Sequence, residues 1–120
     1  MARTVSTSDA MAAIEQFHAD TENSDALAQA VRLSLAWFSQ TYPGRAVELR
    51  VPPYGAVQIL EGTTHRRGTP AAVVEMSPTT WIELITHATT WDEACASGQV
   101  SASGTRSDLT EQLSSTPYGS

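Results

Sequence analysis

There is no lysine in this chain; all seven of its cations are arginine. That removes Schiff-base chemistry and the lysine of a phosphate loop before any other residue is weighed. Cysteine is nearly absent as well. The single Cys95 cannot close an intramolecular disulfide, which fits a reducing compartment or indifference to redox state. No apolar run approaches the roughly 18 residues of a membrane span. The opening MARTVSTSDAM lacks the unbroken apolar stretch of a secretory signal. The expectation is a cytoplasmic protein with no stable membrane insertion. Cations are also outnumbered, and the net charge of −6 argues against nucleic acid as a partner, because phosphate binding needs clustered positive charge.

What is present suffices for an ordinary core. Hydrophobic residues make up 41% and charged residues 17%, the balance of a globular chain rather than a disordered one. A chain of 120 residues is most simply one domain, with residues 1–7 and 114–120 expected as loose tails. At that length roughly two-thirds of the unfolded surface is buried, so neither disulfide nor structural metal is required. The cations lean toward the middle, where Arg45, Arg50, Arg66 and Arg67 outnumber Glu48 and Glu61. A solvated sheet face is the plain reading; a mild attraction for an anionic headgroup or carboxylate is the alternative.

Hydrophobic spacing gives the order of elements. Met11, Ile14 and Phe17 recur at three residues and predict a short amphipathic helix from Ser8. Ser24 is the expected N-cap of a second helix, with Asp25 in its first turn. That helix carries Leu27, Val31, Leu35, Phe38 and Tyr42 on one stripe and Ala26, Ala30, Leu33 and Trp37 on another, a face wide enough to pack deeply on a sheet. Pro43-Gly44 ends it. The period then changes to two. Val47–Val51 and Ala56–Glu61 read as strands around the turn Pro52-Pro53-Tyr54-Gly55, Thr63–Arg67 as a short polar strand continuing a meander, and Ala71–Met76 as another strand.

Boundaries are most legible after that. Ser77-Pro78 is an N-cap followed by proline at the first helical position. The helix it opens, Pro78–Thr86, places Trp81, Leu84 and Ile85 on one face. Thr90-Trp91-Asp92-Glu93 has the form of a capping box, and the helix behind it stops at Gly98. Gln99–Ser103 alternates as a strand up to Gly104, and Ser107 or Asp108 caps a last helix with Leu109 and Leu113. Helices, hairpin-linked strands, helices and a late strand make an α+β domain. Its sheet is expected to be mostly antiparallel, of four to five strands, with helices on one face.

No catalytic constellation emerges. His18, His65 and His87 fall on three different elements, none with a second ligand at a zinc-like interval. Cys95, among alanines, reads as a small core residue before it reads as a reactive thiol. Neither a Gly-x-Ser-x-Gly nor a Gly-x-Gly-x-x-Gly is present. Glu75 and Glu83 would be candidate acids only if a pocket raised their pKa; a solvated outward position is the simpler reading. Trp37, Trp81 and Trp91 mark either the core or a ligand cavity, and spacing alone does not separate the two. No cofactor and no metal are expected.

One ordered set of features does carry identity. The tryptophan-bearing helix after Ser77-Pro78, the helix Trp91–Ser97, the segment SGQVSASG (Ser97–Gly104) and the helix opening at Ser107 or Asp108 resemble the end of the sterol carrier family of small α+β lipid-binding domains. The middle, Pro43–Trp81, is similar to the bacterial branch of sterol carrier proteins common in actinobacteria. Relatives often have a glycine between the two helices where this chain reads Ile85-Thr86-His87-Ala88. The resemblance implies a non-catalytic protein with an apolar tunnel between sheet and helices for a fatty acyl chain or sterol-like molecule. On this chain the lining would come from Leu35, Phe38, Leu49, Val57, Ile59 and Val74, together with Trp81, Leu84, Ile85, Trp91 and Val100. Two alternatives stand beside it. One is an interaction or homodimerisation module with the interior filled; the other is a small enzyme or the accessory domain of a thiol-dependent isomerase, resting on Cys95.

Overall fold

A computed structural model of the protein describes residues 4–62, 71–104 and 107–119. Two helices come first, α1 (Thr7–Ala19) and α2 (Ser24–Thr41), then strands β1 (Val47–Val51), β2 (Gly55–Ile59) and β3 (Ala72–Met76). Helices α3 (Pro78–Ile85) and α4 (Trp91–Ala96), strand β4 (Val100–Ser103) and helix α5 (Thr110–Ser114) follow. The architecture is α+β, and α1 and α2 pack side by side.

Among the described residues the sheet has four strands, in the order β2-β1-β3-β4. β1 pairs antiparallel with β2 and β3 pairs antiparallel with β4, but β1 and β3 run parallel. The sheet is therefore mixed rather than a meander. β1 is an inner strand of that order, and its Val47, Leu49 and Val51 are all wholly buried. The hairpin supplies β2 on one side; the chain then returns past β1 to lay β3 on the other. The expected strand Thr63–Arg67 and the turn Gly68-Thr69-Pro70 lie outside the described residues.

Period-two alternation separates the two faces. Leu49 faces Val57 on one neighbour and Val74 on the other, along one buried row. The opposite row holds Glu48, Arg50, Gln58 and Glu75, with Arg50 and Glu48 forming an ion pair. Pro52, Pro53 and Tyr54 make the hairpin turn, and the Tyr54 amide closes it on the Val51 carbonyl at 3.0 Å.

The caps refine the sequence reading. α1 starts at Ser6, whose hydroxyl accepts from the Asp9 amide at 3.0 Å. α2 is capped by Asn23 rather than Ser24: the Asn23 side-chain oxygen accepts from the amides of Asp25 and Ala26, and Ser24 is the first helical residue. Asparagine reaches two orphan N–H groups at once, which serine one position later would not. Ser77 caps α3 ahead of Pro78 as expected, and Thr90 accepts from the Glu93 amide at 3.2 Å. Glu93 does not complete the box; its carboxylate accepts from the Thr89 hydroxyl at 3.5 Å. At α5 the Asp108 carboxylate accepts from both the amide and the hydroxyl of Thr110, and those bonds hold its pKa below the ordinary aspartate value.

Neither segment expected as a loose tail is free of contacts. Val5 exchanges two hydrogen bonds with the Gln40 side chain, at 2.8 and 2.9 Å. Thr116 and Tyr118 are buried against the helices. Thr116 is tied down by hydrogen bonds and Tyr118 by an aromatic contact, interactions that no periodicity in STPYGS announces. Among the described residues no helix is long and apolar enough to cross a membrane.

Candidate ligand site between the helices and the sheet

α2 sets the inner wall. Ala30, Val31, Ser34, Leu35 and Phe38 follow one another at helical spacing and are all buried. α3 lies against it with the opposite amphipathic face, burying Trp81, Ile82, Leu84 and Ile85. The two helices meet through rings and one hydrogen bond. Phe38 and Trp81 stand edge to face, centroids 5.2 Å apart at 89°, in the arrangement that ring quadrupoles favour. The Trp81 indole N–H donates to Ser34 Oγ at 2.8 Å, and the Ser34 hydroxyl donates in turn to the Ala30 carbonyl at 2.6 Å. Both side chains are wholly buried, so this chain of bonds satisfies polar atoms that water does not reach.

Ten of the eleven candidate lining residues fall in one buried apolar cluster: Leu35, Phe38, Leu49, Ile59, Val74, Trp81, Leu84, Ile85, Trp91 and Val100. Val57, on the edge strand, is half-buried and packs against that cluster. The structure thus brings the candidates to one place. It also adds members that the sequence reading passed over. Ser34 is the main one, and its signal was available: it sits at three and four residues from Val31 and Phe38, on the buried stripe rather than beside it. Thr80, Thr116 and Tyr118 are the others, and only Thr80 lies on an element whose period could have given it away.

A second set of contacts closes the outer side of the same two helices. Trp37 is half-buried; its indole N–H donates to Thr7 Oγ1 at 2.9 Å, and its ring meets Tyr118 edge-on at 5.2 Å and 71°. The Tyr118 hydroxyl is shut off from water without a hydrogen-bond partner, and burial pushes its pKa well above the ordinary tyrosine value. Thr116 donates to the Ile85 carbonyl at 2.7 Å, and its own carbonyl lies 2.9 Å from His87 Nε2, which donates to it as the protonated ring nitrogen. His87 has φ 65°, the left-handed conformation that glycine adopts most easily. This left-handed residue lies in the stretch Ile85–Ala88 that joins α3 to the segment before α4.

Chemistry elsewhere is sparse. Cys95 is half-buried, and its thiol is pushed up by burial first and then by the carboxylates of Asp108 and Asp92, the reverse of what a nucleophile needs. Among the described residues no three His, Cys, Asp or Glu side chains are placed to hold a metal ion; His65 lies outside them. An open groove of about 390 Å³ is lined by Leu60, Asp108, Thr110, Glu111 and Gln112. It contains none of the eleven candidates and is lined chiefly by residues in and just before α5, so it is a different feature from the apolar interior.

Comparison with known proteins gives the family. No curated protein matches the chain. A family model described as the bacterial SCP ortholog matches residues 23–114, from the N-cap of α2 through the end of α5. That span takes in both walls of the interior and all four strands, and the chain belongs to the bacterial SCP ortholog family, within the sterol carrier proteins.

Proposed function

We propose that this protein binds a lipid or another hydrophobic small molecule, without catalysing a reaction, in the apolar interior between α2, α3 and the sheet. The observation that carries this reading is the family match over the elements that build the interior. The lining residues are the eleven named above, with Trp81 and Phe38 at the centre and Ser34 as the one buried side-chain hydroxyl on the α2 wall. These side chains are in mutual contact, so a ligand enters by parting α2 from α3 and replacing protein contacts with its own. Apolar burial supplies most of the affinity, at about 25 cal/mol per Å². Ser34 and Trp81 are the groups on hand for a single polar contact. A fatty acyl chain or a sterol-like skeleton matches that chemistry, and the role is sequestration or transfer in the cytoplasm.

The test is direct. Protein purified from its own host is examined by native mass spectrometry for co-purifying lipid, then delipidated and titrated with a fluorescent fatty acid. A bound lipid and a saturable titration are expected. Their joint absence would overturn the reading.

One observation favours a second reading. Trp81 is wholly buried between Ser34 and Phe38, so the interior is already filled by side chains. On that basis the scaffold would serve as an interaction or homodimerisation module. Lipid-free protein that sediments as a dimer would support it over the first.

A further inference from the structure

The segment Ser115–Gly119, which follows α5, joins the two helices whose inner faces meet at Phe38 and Trp81. Thr116 is fastened to the end of α3 by two bonds, one to the Ile85 carbonyl and one from His87. Tyr118 lies on Trp37 of α2, the residue next to Phe38. Gly119 rests on the His87 ring, where a Cβ would overlap it. The segment thus spans the outer side of the α2–α3 seam.

One feature of this contact is costly, and it is undone by release. The Tyr118 hydroxyl is buried without a partner and would regain water outside. A contact that carries a buried unpaired hydroxyl is weaker than its packing alone would make it, which suits a switchable element. The rest of the interior has no such cost at Trp81, whose indole is satisfied by Ser34.

We propose that Ser115–Gly119 is a releasable strap that clamps α3 onto α2, with Tyr118 acting as the chain's own occupant of the apolar surface on Trp37, and that its release is the step that opens the seam to a ligand. The proposal rests on the lipid-binding reading for the identity of the ligand, but not for the strap itself. Release frees α3 at its Ile85–His87 end, so Trp81 moves from Phe38 without disturbing the sheet.

The experiment compares the full chain with Tyr118→Ala and Tyr118→Phe by amide hydrogen exchange and by stopped-flow mixing with cis-parinaric acid, a fluorescent fatty acid. Tyr118→Ala is expected to raise exchange at Thr86–Ala88 and along α3, and to speed fatty-acid association roughly tenfold, the consequence of losing one buried aromatic contact. Tyr118→Phe keeps the ring and loses the unpartnered hydroxyl; it is expected to slow association below wild type. A merely structural tyrosine would not move the two variants in opposite directions. Saturating fatty acid should raise exchange at residues 115–119 of the wild-type chain.

Outcomes separate the two ideas. If the wild type binds fatty acid, but residues 115–119 stay protected and both variants associate at its rate, the strap is overturned and lipid binding stands. If no form binds, the lipid reading falls. Unchanged exchange along α3 in Tyr118→Ala would then overturn the strap as well, whereas raised exchange would support it. Binding by Tyr118→Ala alone supports the strap in its strongest form.

Discussion

The indole N–H of Trp81 donates to Ser34 Oγ at 2.8 Å, joining α3 to α2 through two residues that are both wholly buried. Among the described residues it is the one side-chain hydrogen bond between α2 and α3, and its loss has a definite direction. Ser34→Ala leaves the Trp81 N–H without an acceptor in a dry site, so the fold should lose about 1–3 kcal/mol in urea unfolding. The same cost should shrink when measured in a Trp81→Phe background, where no donor is left stranded. Equal losses in both backgrounds would show that the bond contributes nothing.

His87 separates backbone strain from side-chain bonding. His87→Ala keeps the left-handed strain and loses the bond to the Thr116 carbonyl, and is expected to cost about 1–2 kcal/mol. His87→Gly loses the same bond but removes the strain, so its cost should be smaller by about 1 kcal/mol. Urea midpoints of the three proteins decide the order.

Tyr118→Phe should be neutral or stabilising, by up to about 1 kcal/mol, because it deletes a buried hydroxyl that has no partner. The pH dependence has a sign. The folded-state pKa of Tyr118 is raised above its unfolded value near 10, so its contribution is intact below pH 10 and lost as pH rises beyond that. Wild-type melting temperature should fall above pH 10 more steeply than that of Tyr118→Phe. Parallel curves would show that the phenol titrates freely in the folded protein.

Gly44 and Gly98 both have positive φ, at 148° and 80°, but in different surroundings. A Cβ at Gly44 would overlap the Leu60 carbonyl, which accepts from the Ala46 amide at 2.8 Å. At Gly98 nothing lies within 4 Å. Gly44→Ala should therefore cost about 3 kcal/mol or more, and Gly98→Ala only the roughly 1–2 kcal/mol of the left-handed backbone. Thermal unfolding of the two variants makes the comparison.

Cys95 should alkylate slowly. Burial and the carboxylates of Asp108 and Asp92 hold its thiol protonated, so iodoacetamide at pH 8 is expected to react several-fold slower than with an unstructured peptide thiol. Asp108→Asn should speed the reaction. A Cys95 that reacts faster than the peptide would revive a thiol-dependent activity.

Much of this was legible beforehand, for local reasons. Ser77-Pro78, Thr90 and Gly98 mark boundaries because capping and left-handed turns depend on the residues beside them, and the structure keeps those boundaries. The eleven lining candidates came together because two periods, 3.6 and 2, point their side chains inward. The choice between Asn23 and Ser24 is not legible in sequence, because two good caps stand side by side and only the helix's first turn selects Asn23. The parallel pairing of β1 with β3 was not legible at all, since strand pattern says which face is buried and not which neighbour a strand takes.

By itself, the sequence determined the elements, the apolar faces and the family, because each follows from residue type and spacing over a few turns of chain. It also excluded a lysine nucleophile and a disulfide within this chain. Tertiary structure alone decided that Trp81 is answered by Ser34 forty-seven positions away, and that a polar-looking tail folds back to place Tyr118 on Trp37. Those two contacts join residues distant in the chain, and a contact between distant residues is set by how helices stack on a sheet.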